Sequence, residues 1–197
     1  MRTWLVLLVR APVLLFSPGR QAGEYEIGEL AGLNLIADVP GGWVAGPHKS
    51  PLPGMVSMKL TSEDGAESLV TITVMQPTSG ASLSPGDREQ LENLVSTVAK
   101  SMEPQSVEGA LKVQRFEHGL VKGAFFSATD KDPPPGEFRY MSQGMGWMQD
   151  LAVSFTALSN VDDAVARKVM FQVVGSVRPA GEAQGEARTS ADQSGGF

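Results

Sequence analysis

Apolar and polar positions alternate with period two over residues 33–39, where Leu33, Leu35, Ala37 and Val39 face away from Asn34, Ile36 and Asp38. Pro40-Gly41-Gly42 breaks that run before Trp43, so the pattern predicts a strand with a turn behind it. Residues 45–54 contain three prolines and His48 and read as a loop, because a central strand cannot spare backbone donors. Two more alternating strands follow. Val56, Met58 and Leu60 oppose Ser57, Lys59 and Thr61; Val70, Ile72 and Val74 oppose Thr71 and Thr73. The polar, glycine-containing link over residues 62–68 suits a hairpin.

The period then changes to that of a helix. Ser84 can cap, Pro85 suits the first helical position, and Asp87 and Glu89 favour the positive helix end. Leu91, Leu94, Val95, Val98 and Met102 form one apolar stripe, and Pro104 ends it. Strands resume at residues 111–116, turn at Glu117-His118-Gly119 and return through residues 120–129. There Phe125 and Phe126 point to opposite faces, which predicts a strand covered on both sides. A proline-rich loop over residues 130–136 leads to a strand opened by Phe138 and Tyr140, and then to one marked by Leu151, Val153, Phe155 and Ala157. A last helix starts near Asn160, with Asp162 and Asp163 in its first turn. Its stripe is Val165, Val169, Val173 and Val177, Arg178 suits its end, and Pro179 stops it.

This order predicts an α+β fold: a three-layer α/β/α sandwich with a central, mostly antiparallel sheet of about six or seven strands and two main helices. Three segments divide the 197 residues: 1–23 as a leader or disordered N-terminus, 24–179 as a single domain, and 180–197 as a disordered tail. Arg2 followed by an apolar run over residues 4–16, interrupted by Arg10, and then Ser17-Pro18-Gly19, has the layout of a secretory leader. That run is too short to span a bilayer. The tail holds no aliphatic side chain larger than alanine and cannot offset its ordering entropy.

Charge and composition narrow the function classes. A formal net charge of -6 with no basic stripe opposes nucleic-acid binding. The absence of cysteine excludes disulfides, thiolate catalysis, cysteine-ligated zinc and a cysteine-borne lipid anchor. No cofactor is expected.

The segment from Leu33 to Trp43 resembles the strand-proline-glycine-tryptophan opening of the PsbP-like and Mog-type α/β/α sandwich superfamily. Phe125-Phe126-Ser127-Ala128-Thr129-Asp130, Tyr140-Met141-Ser142-Gln143-Gly144, Val153-Ser154-Phe155-Thr156-Ala157-Leu158 and the ending Ser176-Val177-Arg178 look like an exported, DcrB-like bacterial branch of it. The resemblance covers about residues 30–179. It implies a non-enzymatic scaffold, as in extrinsic photosystem subunits, Ran-binding proteins, DcrB envelope lipoproteins and Eag-type effector chaperones. The chain departs from the DcrB type in lacking a lipobox cysteine, and from the Eag type in its apolar N-terminus.

Few residues carry candidate chemistry. His48 and His118 are the two groups that titrate near neutrality, but the G-x-S-x-G elbow and the S-x-x-K pairing of serine enzymes are absent. Asp130, Asp132 and Glu137 are oxygen donors around Pro133-Pro134-Pro135-Gly136. As a calcium loop they lack the regular ligand spacing, and a solvated acidic loop is the simpler reading. Gly144-Met145-Gly146 begins a dinucleotide fingerprint that Gln149 breaks. Met145, Trp147 and Met148 form either a partner-binding edge or a group tucked under the C-terminal helix. The expectation is a non-catalytic binding or accessory protein of the bacterial envelope, periplasmic or secreted, with an unidentified protein partner. The alternatives are a cytoplasmic chaperone or adaptor for a secreted effector, and a serine hydrolase.

Overall fold

The computed structural model describes residues 22–49, 52–64, 67–77, 84–161 and 163–181. The leader-like segment, Asp162 and most of the tail therefore lie outside the described residues. The fold is α+β in three layers. Its middle layer is an antiparallel sheet of seven strands: β3 (Trp43–Pro47), β4 (Met55–Ser62), β5 (Ser68–Met75), β6 (Gln114–His118), β7 (Val121–Thr129), β8 (Tyr140–Met148) and β9 (Leu151–Ser159), in the order β3-β4-β5-β9-β8-β7-β6. A second sheet of three strands joins β1 (Gly23–Leu30) and β2 (Leu33–Val39) to the two-residue β10 (Arg178–Pro179). Helix α1 (Arg88–Met102) covers one face of the large sheet. Helix α2 (Asp163–Ser176) and the small sheet cover the other.

The pleat of β7 sorts its two phenylalanines as the alternation predicts. Phe125 enters the core under α2 with Phe155, Met170 and Val173, while Phe126 enters the core under α1 with Leu91, Val95 and Ala99. Leu35, Ala37, Met58, Leu60, Val70, Ile72 and Val74 complete the first of these cores, so the small sheet shares the α2 side. Burial on both faces explains why β5, β8 and β9 stay apolar or small along most of their lengths.

Several local expectations are corrected. Residues 45–47 are not loop. They belong to β3, an edge strand, where Pro47 costs no central hydrogen bond. The α1 cap is Asp87, whose carboxylate accepts the Gln90 N–H at 3.0 Å, rather than Ser84. Ser84 instead closes the preceding turn, its carbonyl accepting the Asp87 N–H at 3.1 Å across Pro85-Gly86. The buried stripe of α1 is Leu91, Val95 and Ala99; Leu94 is 40% exposed. Likewise Val165 is 57% exposed and Ala166 takes its place against the sheet. Asn160 does not act as a simple cap. Its side chain ties Arg139 N, Glu67 and the Glu137 carbonyl together.

Arg178 does more than flank a helix end. On β10 it is 8% exposed, and its guanidinium donates to Asp38 at 3.1 Å, to Glu24 at 2.5 Å and to the Ser176 carbonyl at 2.9 Å. A charge this deep is tolerated because carboxylates and a carbonyl meet it. Ser176 adds a second tie, its hydroxyl accepting the Asp38 N–H at 2.8 Å.

Candidate functional site

Around the C-terminal end of α1, four segments distant in sequence border an open cavity of about 460 Å³. Met102 comes from α1, Ala128 from β7, Met141 from β8 and Leu158 from β9, and Phe138, between the proline loop and β8, also lines it. These make an apolar floor. Gln105, Asp130, Glu137 and Arg139 stand at the polar rim. A neighbouring cleft of about 480 Å³ shares Gln105, Asp130 and Glu137, and adds Lys131, Asp132 and two prolines. An apolar concavity with a few convergent polar groups is the usual form of a small-ligand seat.

The walls are held by backbone bonds between segments that would otherwise be loops. After α1 a 3-10 turn over Glu103–Gln105 brings Ser106 beside Asp130 as an isolated antiparallel bridge. Val107 N–H donates to the Thr129 carbonyl at 2.8 Å and Lys131 N–H to the Gln105 carbonyl at 3.0 Å. Asp130 N–H donates to the Arg139 carbonyl at 2.8 Å, which closes the base of the proline loop. Glu108 locks the same corner: one carboxylate oxygen accepts Thr129 Oγ1 at 2.7 Å and the other accepts Thr129 N at 3.0 Å and the Ser106 hydroxyl. Burial pushes the Glu108 carboxyl up, but hydrogen bonds from Ser106, from Thr129 and from its own backbone N–H outweigh it. They bring the group down to about 2.

Asp130 and Glu137 thus line the cavity, and Asp132 lines the adjoining cleft. Asp130 Oδ1 accepts the Asp132 N–H at 2.9 Å, an arrangement within the loop. The three carboxylates do not converge as a metal site: among the described residues no group of three or more metal-type ligands comes together.

The methionine-tryptophan segment lies elsewhere, inside the protein. Trp147 is 5% exposed under the N-terminal end of α1, with Nε1 donating to the Asp87 carbonyl at 3.2 Å. Met148 is 2% exposed on the α2 side, and Met145 packs half-buried against the α1 core. Trp147 and Met148 consequently have little surface to present at an edge, and the helix covering the indole is α1, not the C-terminal one. The Gly144-Met145-Gly146 run has a packing explanation. A Cβ on Gly144 would lie 2.4 Å from the Ala124 carbonyl oxygen and 2.7 Å from the Phe155 ring, and one on Gly146 would lie 2.7 Å from Val121. Both glycines are mid-strand, where no helix N-terminus could receive a phosphate.

His48 follows β3 and His118 ends β6, so the two lie at opposite edges of the large sheet. The His118 ring stacks on Phe171, their centroids 4.8 Å apart. A polar network that sequence reading missed connects β7, β8 and α2. The Ser127 and Ser142 hydroxyls are 2.6 Å apart, Ser142 donates to Asp163 at 2.9 Å, and Arg167 joins Asp163 and Ser127. Its members satisfy one another and anchor the start of α2, so it reads as structural.

No protein-family model matches the chain, and no curated protein does. Among solved structures the chain is similar to a protein from Bacteroides thetaiotaomicron at 10% identity, over 81% of this chain and 49% of that one, with a TM-score of 0.48. It therefore spans about half the length of that protein. It is also similar to the solution structure of the cyanobacterial PsbP protein, CyanoP, from Synechocystis, at 11% identity over 87% of this chain and 98% of that one, with a TM-score of 0.44.

Proposed function

We propose that this chain is a non-catalytic binding or accessory protein of the bacterial envelope whose ligand seat is the cavity at the C-terminal end of α1. The observation that carries the reading is the cavity itself: about 460 Å³, floored by Met102, Ala128, Met141 and Leu158 and rimmed by polar groups. Export is supported by the leader-like layout of residues 1–23, at whose last residue, Gly23, β1 begins. N-terminal sequencing of the protein recovered from its source cell tests this part. A start close to Gly23 supports export, and an intact Met1 on a cytoplasmic species refutes it.

The binding reading is tested with the uncharged probe N-phenyl-1-naphthylamine, whose fluorescence rises in apolar surroundings. The full chain should give a saturable one-to-one response. Leu158→Trp, which fills the cavity from β9, should abolish it while near-ultraviolet circular dichroism keeps a folded signature. An unsaturable response, or one that survives this substitution, removes the cavity as a ligand seat.

A further inference from the structure

We infer that the occupant of this cavity is an organic cation with an apolar body, an alkyl or aromatic group ending in an ammonium. The inference rests on the binding reading above and names the ligand's class. The apolar part follows from the floor, where Met102, Met141, Leu158 and Phe138 offer hydrocarbon, thioether and a ring face. Thioethers and aromatic faces both accept a cation's alkyl groups, and a ring face attracts its charge.

The charged part follows from the mouth. Asp130 and Glu137 line the cavity and, with Asp132, the cleft that opens beside it. Among the described residues none of these carboxylates takes part in an ion pair, whereas Glu24, Asp38, Glu92, Glu117 and Asp163 all do. Two cations share this rim, Arg139 on the cavity and Lys131 on the cleft, so the three carboxylates outnumber them by one. The Lys131 ammonium donates to the Pro104 carbonyl at 3.2 Å, and the Arg139 guanidinium lies over the Tyr140 ring, 5.9 Å from its centroid. An apolar seat whose rim carries one more carboxylate than cation favours an amphipathic ammonium over an amphipathic anion. No bond is made or broken, so the role is capture.

Octyltrimethylammonium and octyl sulfate present the same hydrocarbon chain with opposite charges, and calorimetric titration of the full chain below their micellar concentrations separates them. The cation should bind about two- to fivefold more tightly than the anion, the ratio one net screened charge provides. In the double variant Asp130→Asn, Glu137→Gln that ratio should fall to one or below, because Arg139 and Lys131 then outnumber Asp132, while N-phenyl-1-naphthylamine binding is unchanged. Equal or tighter binding of the anion, or a preference that persists in the double variant, overturns the inference and leaves the seat intact. Loss of the neutral probe's binding by the unaltered chain removes both readings.

Discussion

Replacing Glu108 by glutamine is the sharpest test of how the cavity wall is held, because pH reads the contribution of this one carboxylate. Its carboxyl falls from an ordinary 4.5 to about 2. At about 1.36 kcal/mol per pH unit that is a ceiling of about 3.4 kcal/mol. Glu108 is exposed, and solvent screening brings the expected contribution down to about 1 kcal/mol. The sign is fixed by linkage. A folded-state pKa below the unfolded one means the unfolded chain binds the extra proton, so the stabilisation is full above about 4.5 and is lost as pH falls toward about 2. Glu108→Gln keeps one acceptor and turns the other oxygen into a donor facing Thr129 or Ser106, so about 1 kcal/mol should be lost at pH 7. Other carboxylates titrate in the same window, so the useful quantity is the difference between parent and variant in urea unfolding at stepped pH. That difference should shrink steadily below about pH 4.5. A difference that stays constant down to about pH 2.5, or is already absent at pH 7, refutes the assignment of Glu108 as the lock.

Three further substitutions probe the layers. Gly144→Ala should cost about 1 to 3 kcal/mol or more, because its Cβ meets the Ala124 carbonyl oxygen at 2.4 Å, whereas Gly46→Ala, with nothing within 4 Å, should be close to neutral; urea denaturation compares the two. Arg178→Met should cost about 2 kcal/mol. The low end of the buried-charge range applies because Glu24 and Asp38 are accessible enough to rehydrate, and hydrogen exchange should show β1 amides opening first. Trp147→Phe leaves a smaller ring under α1 and loses the bond to the Asp87 carbonyl, a combined cost of about 2 to 3 kcal/mol by the same denaturation assay.

What could be read from sequence follows from the range of the interactions involved. The alternation in β5, the divergent Phe125 and Phe126 in β7 and the four-residue recurrence in α2 are local consequences of backbone period, and they give the layered α+β fold. β1 escaped notice because its register shifts between Glu26 and Gly28, so Tyr25 and Ile27 fall out of phase with Leu30. β3 escaped because its proline is legible only once the strand is known to be an edge. β10 is two residues long and has no period at all. The exposed Leu94 and Val165 mark the limits of a stripe argument, since hydrophobicity does not tell which border of a stripe the sheet leaves uncovered.

The cavity was illegible for a different reason. Met102, Ala128, Met141 and Leu158 occupy four elements and share no motif, so only the register of β7, β8 and β9 brings them together. Asp130 and Glu137 did attract notice as oxygen donors, but their role depends on a neighbouring apolar floor that spacing could not reveal. Trp147 attracted notice as costly to expose. The fold resolves that cost by burying it.

The clasp between Arg178 and Glu24 joins residues 154 positions apart and completes the small sheet through β10. Leu35 and Ala37 of β2 therefore depend for their cover on a helix and a strand that lie far along the chain from them. Closure of the small sheet is thus a long-range pairing of the slow-forming kind, and until it forms these hydrophobic strands stand without their cover.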